Sequence, residues 1–501
     1  MESAESVTGA LNRVSLTDRW DVDRGRIVLS GTQALARVVL DQKAHDAARG
    51  LYTAGYVTGY RGSPLGNVDT VLWGIADRLE RAEIRFRPAV NEDLAATAVR
   101  GTQQIDAFPD PLYDGVFAVW YGKGPGVDRS GDAFKHGNYA GAHARGGVLV
   151  VYGDDHAAKS STVAHHSEQA ISAANIPSLY PSSVSEIRRF GLLAIAMSRY
   201  SGSWVGLKCV TEVVEQTASV DIDLSAFEPV LPPLSDARRT LVGLHSVQGA
   251  FDPLNEERIV VEERLPLVQA FVRANRIDEE KWRAHEPRIG IVTAGKAYGN
   301  VLTALDLLGL DPDACADLGI SLYKVGCIWP LEPEGLRAFA AGHRLLFVIE
   351  EKSAFLEPQV AAALINQPER VGLIGKHDLQ GNRLLSSVAP LDGSEVAAAL
   401  GSVLAAEEIS LPAGCLTTAT ASAAPPDLKR IPYFCSGCPH NRSTRLPEGS
   451  LALTGIGCHT MVNFVRPREA LLPTQMGGEG ANWIGAAPFT GTPHVFQNLG
   501  D

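Results

Sequence analysis

A basic excess is absent from this sequence. Its 501 residues include 45 Lys and Arg against 57 Asp and Glu, a formal net charge of -12 at pH 7. Because nucleic-acid binding needs cationic side chains that neutralise phosphates, this balance argues against general nucleic-acid binding. Also absent is any run near ~18 consecutive apolar residues, the length that a membrane helix requires. We therefore expect neither nucleic acid nor a membrane as a partner.

Cysteine is scarce, and no secretory leader is visible. The N-terminus, MESAESVTGALNRVSLTDRW, has no cationic start followed by an apolar run, so we predict no signal peptide. Seven cysteines in 501 residues do not suggest a disulfide scaffold. The odd count and the missing leader favour a reducing cytoplasm, where clustered thiols are more often metal ligands.

The composition is that of an ordinary globular chain, with 45% hydrophobic and 20% charged residues. At about 150 residues per domain, the length predicts roughly three or four domains. Short apolar strand signals alternate with helical patterns, which predicts α/β domains with parallel sheets and ligands at the carboxyl ends of the strands. In the first part of the chain, strands are predicted at 51–60, 115–121 and 147–152, and a helix over 91–108 with Asn91 as its N-cap.

A second α/β pattern covers residues 286–405. Residues 236–285 look like a connecting segment with little core of its own. The stretch 406–428 is rich in Ala, Ser, Thr and Pro and indicates a linker. A third unit begins at residue 429, and we expect it to be incomplete at residue 501. In the second pattern, strands are predicted at 289–293, 322–325 and 345–350, and a helix at 354–366.

Three of the seven cysteines fall in this third unit. Cys435 and Cys438 form Cys-Ser-Gly-Cys-Pro-His, and Cys458 follows in Gly-Ile-Gly-Cys-His. On spacing alone, an iron–sulfur cluster with a fourth ligand from elsewhere and a zinc site completed by His440 or His459 are about equally compatible. A redox Cys-x-x-Cys is disfavoured because no thioredoxin-like helix follows at once.

The end of the sequence is rich in glycine. A glycine loop at 476–480 leads into a helical segment, a geometry that suits phosphate. A short strand over 494–499 then runs into Gly500 and Asp501, and a carboxylate just past a strand end is where magnesium and diphosphate often sit in α/β folds. A plain strand-to-turn corner is the more usual explanation of the second pattern.

These segments in combination resemble one family, the indolepyruvate ferredoxin oxidoreductases among the 2-oxoacid:ferredoxin oxidoreductases. The resemblance covers nearly the whole chain, as the N-terminal part of the long fused bacterial form. It rests on YRGSPLG at 60–66, Asn91-Glu92 before an Ala-rich helix, YGKGPGVDR at 121–129, GDD at 153–155, CSGCPH at 435–440, GIGC at 455–458 and the glycine loop at 476–483.

The resemblance implies thiamine diphosphate bound between two related α/β domains, with a transketolase-C-like α/β domain between them in sequence. The pyrimidine-side domain would be 1–235, the transketolase-C-like domain 286–405, and the start of a truncated diphosphate-side domain 429–501, with 236–285 and 406–428 as connections. It implies Mg²⁺ and a [4Fe–4S] cluster as further cofactors. Ferredoxin, coenzyme A and a 2-oxoacid would be partners, and the chain a homo-oligomer.

The resemblance also implies residue roles. Glu92 would be the catalytic residue that binds the cofactor's aminopyrimidine; without the resemblance, it is better explained as a first-turn acid favoured by the helix dipole. Arg61 and Ser63 would contact the substrate. The other implied contacts are His440, Gly477, Gly478, Glu479, Asn482 and Gly500 to the cofactor, Asp501 to magnesium, and Cys435, Cys438 and Cys458 to the cluster.

The implied reaction is oxidative decarboxylation of indolepyruvate, or another aryl 2-oxoacid, to the acyl-CoA with electrons passed to ferredoxin. We expect this chain to be an incomplete part that is inactive alone, because the fourth cluster cysteine and the rest of the magnesium motif would lie beyond residue 501. Pyruvate or a branched-chain 2-oxoacid is the alternative substrate. A non-catalytic, truncated chain with zinc at its Cys-x-x-Cys is the alternative from another class.

Overall fold

The structure is a computed structural model that describes residues 15–234, 252–411, 431–467 and 470–499. The chain folds as two compact units. The first unit comprises Met1–Lys159 and Ala164–Ala419, and the second comprises Ser160–Val163 and Thr420–Asp501. Across the described ranges, no helix has the length and apolar character needed to cross a bilayer.

The first unit contains three sheets. Its strands are β1 (Arg24–Ser30), β2 (Thr53–Gly59), β3 (Ile84–Phe86), β4 (Gly115–Lys123), β5 (Val148–Asp154), β6 (Ser178–Leu179), β7 (Val205–Val210), β8 (Thr217–Asp223), β9 (Glu279–Trp282), β10 (Ile289–Ala294), β11 (Ile320–Val325), β12 (Cys327–Trp329), β13 (Leu345–Ile349) and β14 (Gly372–Ile374).

Helices cover the faces of these sheets. They are α1 (Asp18–Asp21), α2 (Gly31–Ala48), α3 (Val68–Gly74), α4 (Ala76–Arg81), α5 (Glu92–Thr102), α6 (Gly124–Arg129), α7 (Gly131–Ala140), α8 (Glu168–Ala173), α9 (Val184–Ser201), α10 (Thr211–Val214), α11 (Pro253–Arg258), α12 (Leu265–Ala274), α13 (Gly295–Leu307), α14 (Pro312–Asp317), α15 (Pro333–Ala340), α16 (Leu356–Leu364) and α17 (Gly393–Ala406), with a π-helical turn at Ile259–Arg264 and a 3₁₀ turn at Ile105–Ala107.

The large sheet has seven strands in the order β12-β6-β7-β5-β4-β2-β3, and all neighbours are parallel except β12 and β6. Its central strand β5 is buried along its whole length, as a parallel strand covered by helices on both faces should be. The strands predicted at 51–60, 115–121 and 147–152 are confirmed as β2, β4 and β5. The predicted helix over 91–108 is shorter, because the chain leaves the helix after Thr102 and makes a separate 3₁₀ turn.

A five-stranded sheet follows in the order β14-β13-β10-β11-β9, parallel except for β9 at the edge. The strands predicted at 289–293, 322–325 and 345–350 are confirmed as β10, β11 and β13. The helix predicted at 354–366 is confirmed as α16. The remaining sheet of this unit is the antiparallel pair of β1 and β8. The predicted α/β class with parallel sheets is therefore correct.

The two larger sheets are joined by one short strand. After β11, the chain turns at Gly326 and β12 pairs antiparallel with β6, so that Cys327 lies opposite Leu179. The backbone N–H of Tyr180 donates to the carbonyl of Gly326 at 2.8 Å. A strand from the second α/β pattern thus completes the edge of the first sheet.

The segment between the two patterns contributes to the core, contrary to the expectation for 236–285. In α12, Leu267, Val268, Phe271 and Val272 are buried in the same cluster as the helices of the large sheet. Their spacing of one, three and one residues places them on one helix face. The charged residues that precede this helix hid the pattern in the sequence. Of the predicted segment, residues 236–251 lie outside the described ranges, and the predicted domain boundaries stay predictions.

Asp278 fixes the point where the two sheets join. Its Oδ1 accepts the backbone N–H groups of Gly326 at 2.8 Å and Cys327 at 2.9 Å. Although the residue as a whole is only partly buried, its Oδ2 is shut off from solvent and has no hydrogen-bond partner among the described residues. Burial raises the pKa of this carboxyl from 3.8 to about 7, although the two backbone N–H groups oppose the shift.

We expect this carboxyl to make the unit less stable as pH rises. Because its pKa is raised on folding, the stabilising contribution is present below 3.8 and is lost as pH rises through about 7. Asp278→Asn keeps an oxygen acceptor and should flatten the decline in unfolding free energy, measured by urea unfolding across that window. The control is Asp378→Asn, at an exposed carboxyl whose pKa is lowered, which should leave the slope unchanged. An unchanged slope in Asp278→Asn would contradict the assignment.

The second unit has a three-stranded parallel sheet in the order β16-β15-β17. A small cluster of Phe434, Ala452, Val462 and Ala470 forms its core. Its elements are α18 (His440–Ser443), β15 (Ala452–Leu453), a 3₁₀ turn (Gly457–Met461), α19 (Val462–Val465), β16 (Ala470–Leu471), α20 (Ala481–Ala486), a 3₁₀ turn (Ala487–Phe489) and β17 (Phe496–Gln497).

Candidate functional site

The carboxyl ends of the parallel strands in the large sheet form the candidate site of the first unit. β2 ends just before Arg61, β4 ends at Lys123, and β5 ends just before Asp155. Because these three strands are adjacent and parallel, their ends lie at one edge of the sheet, where open α/β folds bind ligands. Arg61 and Ser63, both predicted from the sequence, lie at this edge.

Glu92 begins α5 and is buried, with 5% of its surface exposed. Asn91 caps the helix as predicted, because its side chain accepts the backbone N–H of Leu94 at 3.0 Å. The indole N–H of Trp120, on β4, donates to the carbonyl of Glu92 at 2.9 Å. The first contact fixes the start of the helix, and the second fixes the backbone of Glu92 itself.

Gly126, in the turn of α6, makes room for the Glu92 carboxylate. A Cβ at Gly126 would lie 2.7 Å from Oε1 of Glu92 and 2.6 Å from its Cγ, closer than real Cβ contacts allow. The glycine is therefore required by the close approach of the carboxylate.

Lys123 lies beside Glu92 and was not among the predicted site residues. Burial lowers the pKa of its amine, while the nearby carboxylates of Glu92 and Asp155 act in the opposite direction. Its stem crosses Gly62, where a Cβ would lie 2.7 Å from the lysine Cδ. The amine thus shares one surface with the turn that carries Arg61 and Ser63. Lys123 lies in the glycine-rich motif YGKGPG, which is part of the family resemblance. The glycines on both sides of the lysine are the signal that could have identified it.

The turn that carries Ser63 packs directly on the end of β5. A Cβ at Gly153 would lie 2.8 Å from Cγ of Leu65 and 3.0 Å from Cδ of Pro64. Ser63 is half-buried and Arg61 is exposed. The loops after β2, β4 and β5 therefore lie against one another. Contacts of Arg61, Ser63 and Glu92 with a substrate or cofactor stay predictions.

In the second unit, Cys435 and Cys438 lie on one tight turn. The backbone N–H of Cys438 donates to the carbonyl of Cys435 at 3.0 Å, and Gly437 adopts a left-handed φ of 76° that favours glycine. Cys438 is half-buried, whereas Cys435 and Cys458 are exposed. In the described ranges, no three His, Cys, Asp or Glu side chains converge as a metal-binding group. The turn fits two ligands of one metal centre, and a three-cysteine set stays a prediction.

Two imidazoles lie next to this turn. Nδ1 of His440 is 3.2 Å from Sγ of Cys438, and its ring stacks on Phe434 with a centroid distance of 5.4 Å. The ring of His459 meets His440 edge-on at 5.9 Å, and its Nδ1 accepts the backbone N–H of Gly455 at 3.1 Å. His440, predicted to contact the cofactor, is thus held by both a thiol and an aromatic ring.

The glycine loop of the second unit leads into a helix, as predicted. Gly480 has a left-handed φ of 85° and precedes α20, whose exposed second residue is Asn482. The carboxylate of Glu479 accepts the backbone N–H of Gly477 at 2.8 Å. The backbone N–H of Gly477 is therefore already hydrogen-bonded within the loop. Contacts of Gly477, Gly478, Glu479 and Asn482 with a diphosphate stay predictions, and Gly500 and Asp501 lie outside the described residues.

The fold is similar to that of a solved enzyme structure. The structure is similar to that of a 2-oxoglutarate:ferredoxin oxidoreductase from Magnetococcus marinus, solved with 2-oxoglutarate, coenzyme A and succinyl-CoA bound. The TM-score is 0.56 at 13% sequence identity, over 77% of this chain and 66% of that chain. The chain therefore has the α/β fold of a 2-oxoacid:ferredoxin oxidoreductase.

Sequence comparison shows which proteins the chain is similar to. Residues 279–421 match the indolepyruvate oxidoreductase domain. Indolepyruvate oxidoreductase subunit IorA of Methanothermobacter marburgensis is 26% identical over 89% of this chain, and that of Pyrococcus abyssi 24% identical over 89%. The chain is thus a relative of the indolepyruvate oxidoreductases, as its motifs predicted. It spans 66% and 64% of the length of these two relatives. The long fused form stays a prediction.

Proposed function

We propose that this chain is the thiamine-binding part of a 2-oxoacid:ferredoxin oxidoreductase acting on indolepyruvate or a related aryl 2-oxoacid. The observation that carries the proposal is the buried Glu92 carboxylate beside Gly126, at the carboxyl edge of a parallel sheet. A thiamine cofactor needs a carboxyl group that exchanges a proton with its aminopyrimidine ring, with space for that ring beside it. Glu92 supplies such a buried carboxyl group, and Gly126 makes the room in which it lies.

The protein groups have separable tasks in this reaction. Bound thiamine diphosphate, held with Mg²⁺, would supply the nucleophilic carbon that attacks the 2-oxo group and takes up the electron pair released with carbon dioxide. Glu92 would hold and move the proton at a ring nitrogen of the aminopyrimidine. Lys123, Arg61 and Ser63 would orient the carboxylate and carbonyl of the 2-oxoacid, because Lys123 lies near Glu92 and its stem packs on Gly62, between Arg61 and Ser63.

The proposed overall reaction balances with coenzyme A and ferredoxin. One 2-oxoacid and one coenzyme A would give one acyl-CoA, carbon dioxide, a proton and two electrons, which reduce two one-electron ferredoxins. We assign the cluster that passes these electrons to the turn of Cys435 and Cys438, because their thiols share one tight turn. His440 would contact the cofactor beside it.

The proposal is tested on the native assembly, purified without oxygen. With thiamine diphosphate, Mg²⁺ and coenzyme A present, indolepyruvate should reduce a low-potential viologen dye, and one acyl-CoA should form for every two dye molecules reduced. Parallel assays with pyruvate and 2-oxoisovalerate distinguish the alternative substrates. No dye reduction with any of the three acids would refute the proposed activity.

Gly126 offers a sharper test of the Glu92 geometry. Its backbone is helical, so Gly126→Ala changes only the space, and the added methyl group must displace the carboxylate of Glu92. Turnover should fall by ~10-fold or more, since small displacements of a reacting group are costly. The matched control is Gly131→Ala in the next helix, where an added Cβ meets nothing within 4 Å. Equal turnover in the two variants would contradict the role given to Gly126.

A further inference from the structure

The chain between β5 and α8, residues 155–167, forms a loop with a closed base. At the end of β5, the carboxylate of Asp154 accepts the backbone N–H of Ser167 at 2.7 Å and its hydroxyl at 2.6 Å. Lys208, on β7, lies behind this base and forms an ion pair with Glu168 at 2.7 Å. The two ends of the 155–167 loop are therefore fixed to each other and to the large sheet.

The start of the loop is also held from the five-stranded sheet. Nδ1 of His156 lies 2.6 Å from Oε2 of Glu351, which follows β13, and both side chains are almost completely buried. Nε2 of His156 is buried and has no hydrogen-bond partner in the described part of the chain. Glu351 is thus the polar anchor of this imidazole.

Glu351 is itself fixed in place. Its Oε1 accepts Nζ of Lys296 at 2.6 Å and the backbone N–H of Leu391 at 3.2 Å. Burial alone would raise the pKa of Glu351, but His156 and Lys296 outweigh it and bring the pKa to about 2. The carboxylate is therefore ionised and fully hydrogen-bonded at neutral pH.

Lys352 makes a second contact with His156. Its Nζ donates to the carbonyl of His156 at 2.9 Å. Lys352 has a φ of 57° and Ala158, in the loop, a φ of 52°, both in the left-handed region that residues other than glycine rarely adopt. Such conformations persist where the surroundings fix them, and they cluster at functional sites. Both lie within a few residues of the contact between His156 and Glu351.

The start of the 155–167 loop, at His156, belongs to the candidate site. Asp155, next to His156, is one of the two carboxylates that act on the amine of Lys123. Gly153, two residues before Asp155, packs closely against Pro64 and Leu65, which belong to the turn that contains Ser63. A shift at His156 would therefore move the surface that holds the substrate-binding candidates.

We propose that His156 and Glu351 are positioning residues, a clamp by which the five-stranded sheet holds the start of the 155–167 loop and the end of β5 next to Lys123 and Ser63. The effect of the clamp on catalysis rests on the proposed function. Its effect on the loop does not, so the two are measured separately.

Trypsin reports on the loop, because Lys159 is exposed and lies three residues after His156. His156→Leu removes the donor while leaving Glu351 its partner Lys296. We expect cleavage after Lys159 to become ~10-fold faster in His156→Leu and in Glu351→Gln, because cleavage follows the population of the opened loop. His156→Asn keeps an amide donor near the position of Nδ1 and should restore the slow rate.

Glu350→Gln is the matched control. Glu350 is also a buried carboxylate at the end of β13, but it accepts the backbone N–H groups of Phe355, Leu356 and Glu357 and so holds the start of α16. Unchanged cleavage in folded His156→Leu would overturn the proposal. Equal acceleration in Glu350→Gln would overturn it too, because the effect would then be general loosening. If Glu351→Gln does not fold, the comparison of His156→Leu with His156→Asn decides the question.

The proposed effect of the clamp on catalysis is tested by the kinetics of the native assembly. His156→Leu should raise KM for the 2-oxoacid by ~10-fold and change kcat less, because substrate contacts move while Glu92 does not. His156→Asn should restore KM. A wild-type KM in His156→Leu would overturn the proposed effect of the clamp on catalysis. A wild-type assembly without 2-oxoacid activity would refute the proposed function, and the trypsin result would still decide whether the clamp exists.

Discussion

Glu92→Gln in the native assembly should lower turnover with the 2-oxoacid by at least ~10²-fold, the scale of loss expected for a general acid–base group. Glutamine fills the same buried space beside Gly126 but cannot take up or release the proton. The measurement is anaerobic viologen reduction under saturating thiamine diphosphate, with thermal unfolding as the check on the fold. Near-normal turnover in a folded variant would remove Glu92 from the mechanism.

Asp93→Asn is the control for this substitution. Asp93 is the next acidic residue of the same helix turn, but its carboxylate is partly exposed and forms an ion pair with Arg129 at 2.9 Å. Loss of a surface ion pair costs little stability, typically up to about 1 kcal/mol. We expect turnover to stay close to wild type. The contrast between the two variants separates a catalytic carboxyl from a general need for negative charge at the start of α5.

Cys438→Ser should abolish electron transfer to ferredoxin and remove the iron, the sulfide and the visible absorbance of the native assembly. The expected loss is large because a cluster needs all of its thiolate ligands, and Cys438 shares one turn with Cys435. Metal and sulfide analysis of anaerobically purified protein measures the effect. The control is Cys315→Ala, a buried isolated thiol in α14, which should leave iron and sulfide unchanged.

Zinc is the outcome that would overturn the cluster assignment. Stoichiometric zinc without iron or sulfide in the wild-type protein would mean that Cys435, Cys438 and His440 serve a structural metal. The contact of 3.2 Å between Sγ of Cys438 and Nδ1 of His440 is compatible with that chemistry. The electron path proposed above would then have to lie elsewhere.

The strands of the first unit could be predicted from the sequence because buried parallel strands are short, continuous apolar runs. β4 and β5 are such runs, and both were predicted within two residues of their ends. The core contribution of α12 could not be predicted so easily, because the charged stretch at 255–264 directly precedes its apolar positions.

The candidate site was only half visible in the sequence. Asn91 and Glu92 are local features of one helix start, so the motif could identify them. The space at Gly126 depends on how β4, α5 and α6 pack together. The contact of His156 with Glu351 joins residues 195 positions apart in the chain. No local pattern specifies such a distance, so these parts of the site required the structure.

The short strand β12 has a consequence for how the first unit unfolds. Because Cys327 and Trp329 pair with β6 and Asp278 fixes the turn before them, opening the five-stranded sheet removes the outer strand of the large sheet. Loss of the large sheet in turn exposes the apolar face of β12. We therefore expect the two sheets to unfold together, in one cooperative transition. A chain divided between them would leave each half with an unpaired strand edge, the kind of surface on which protein chains aggregate.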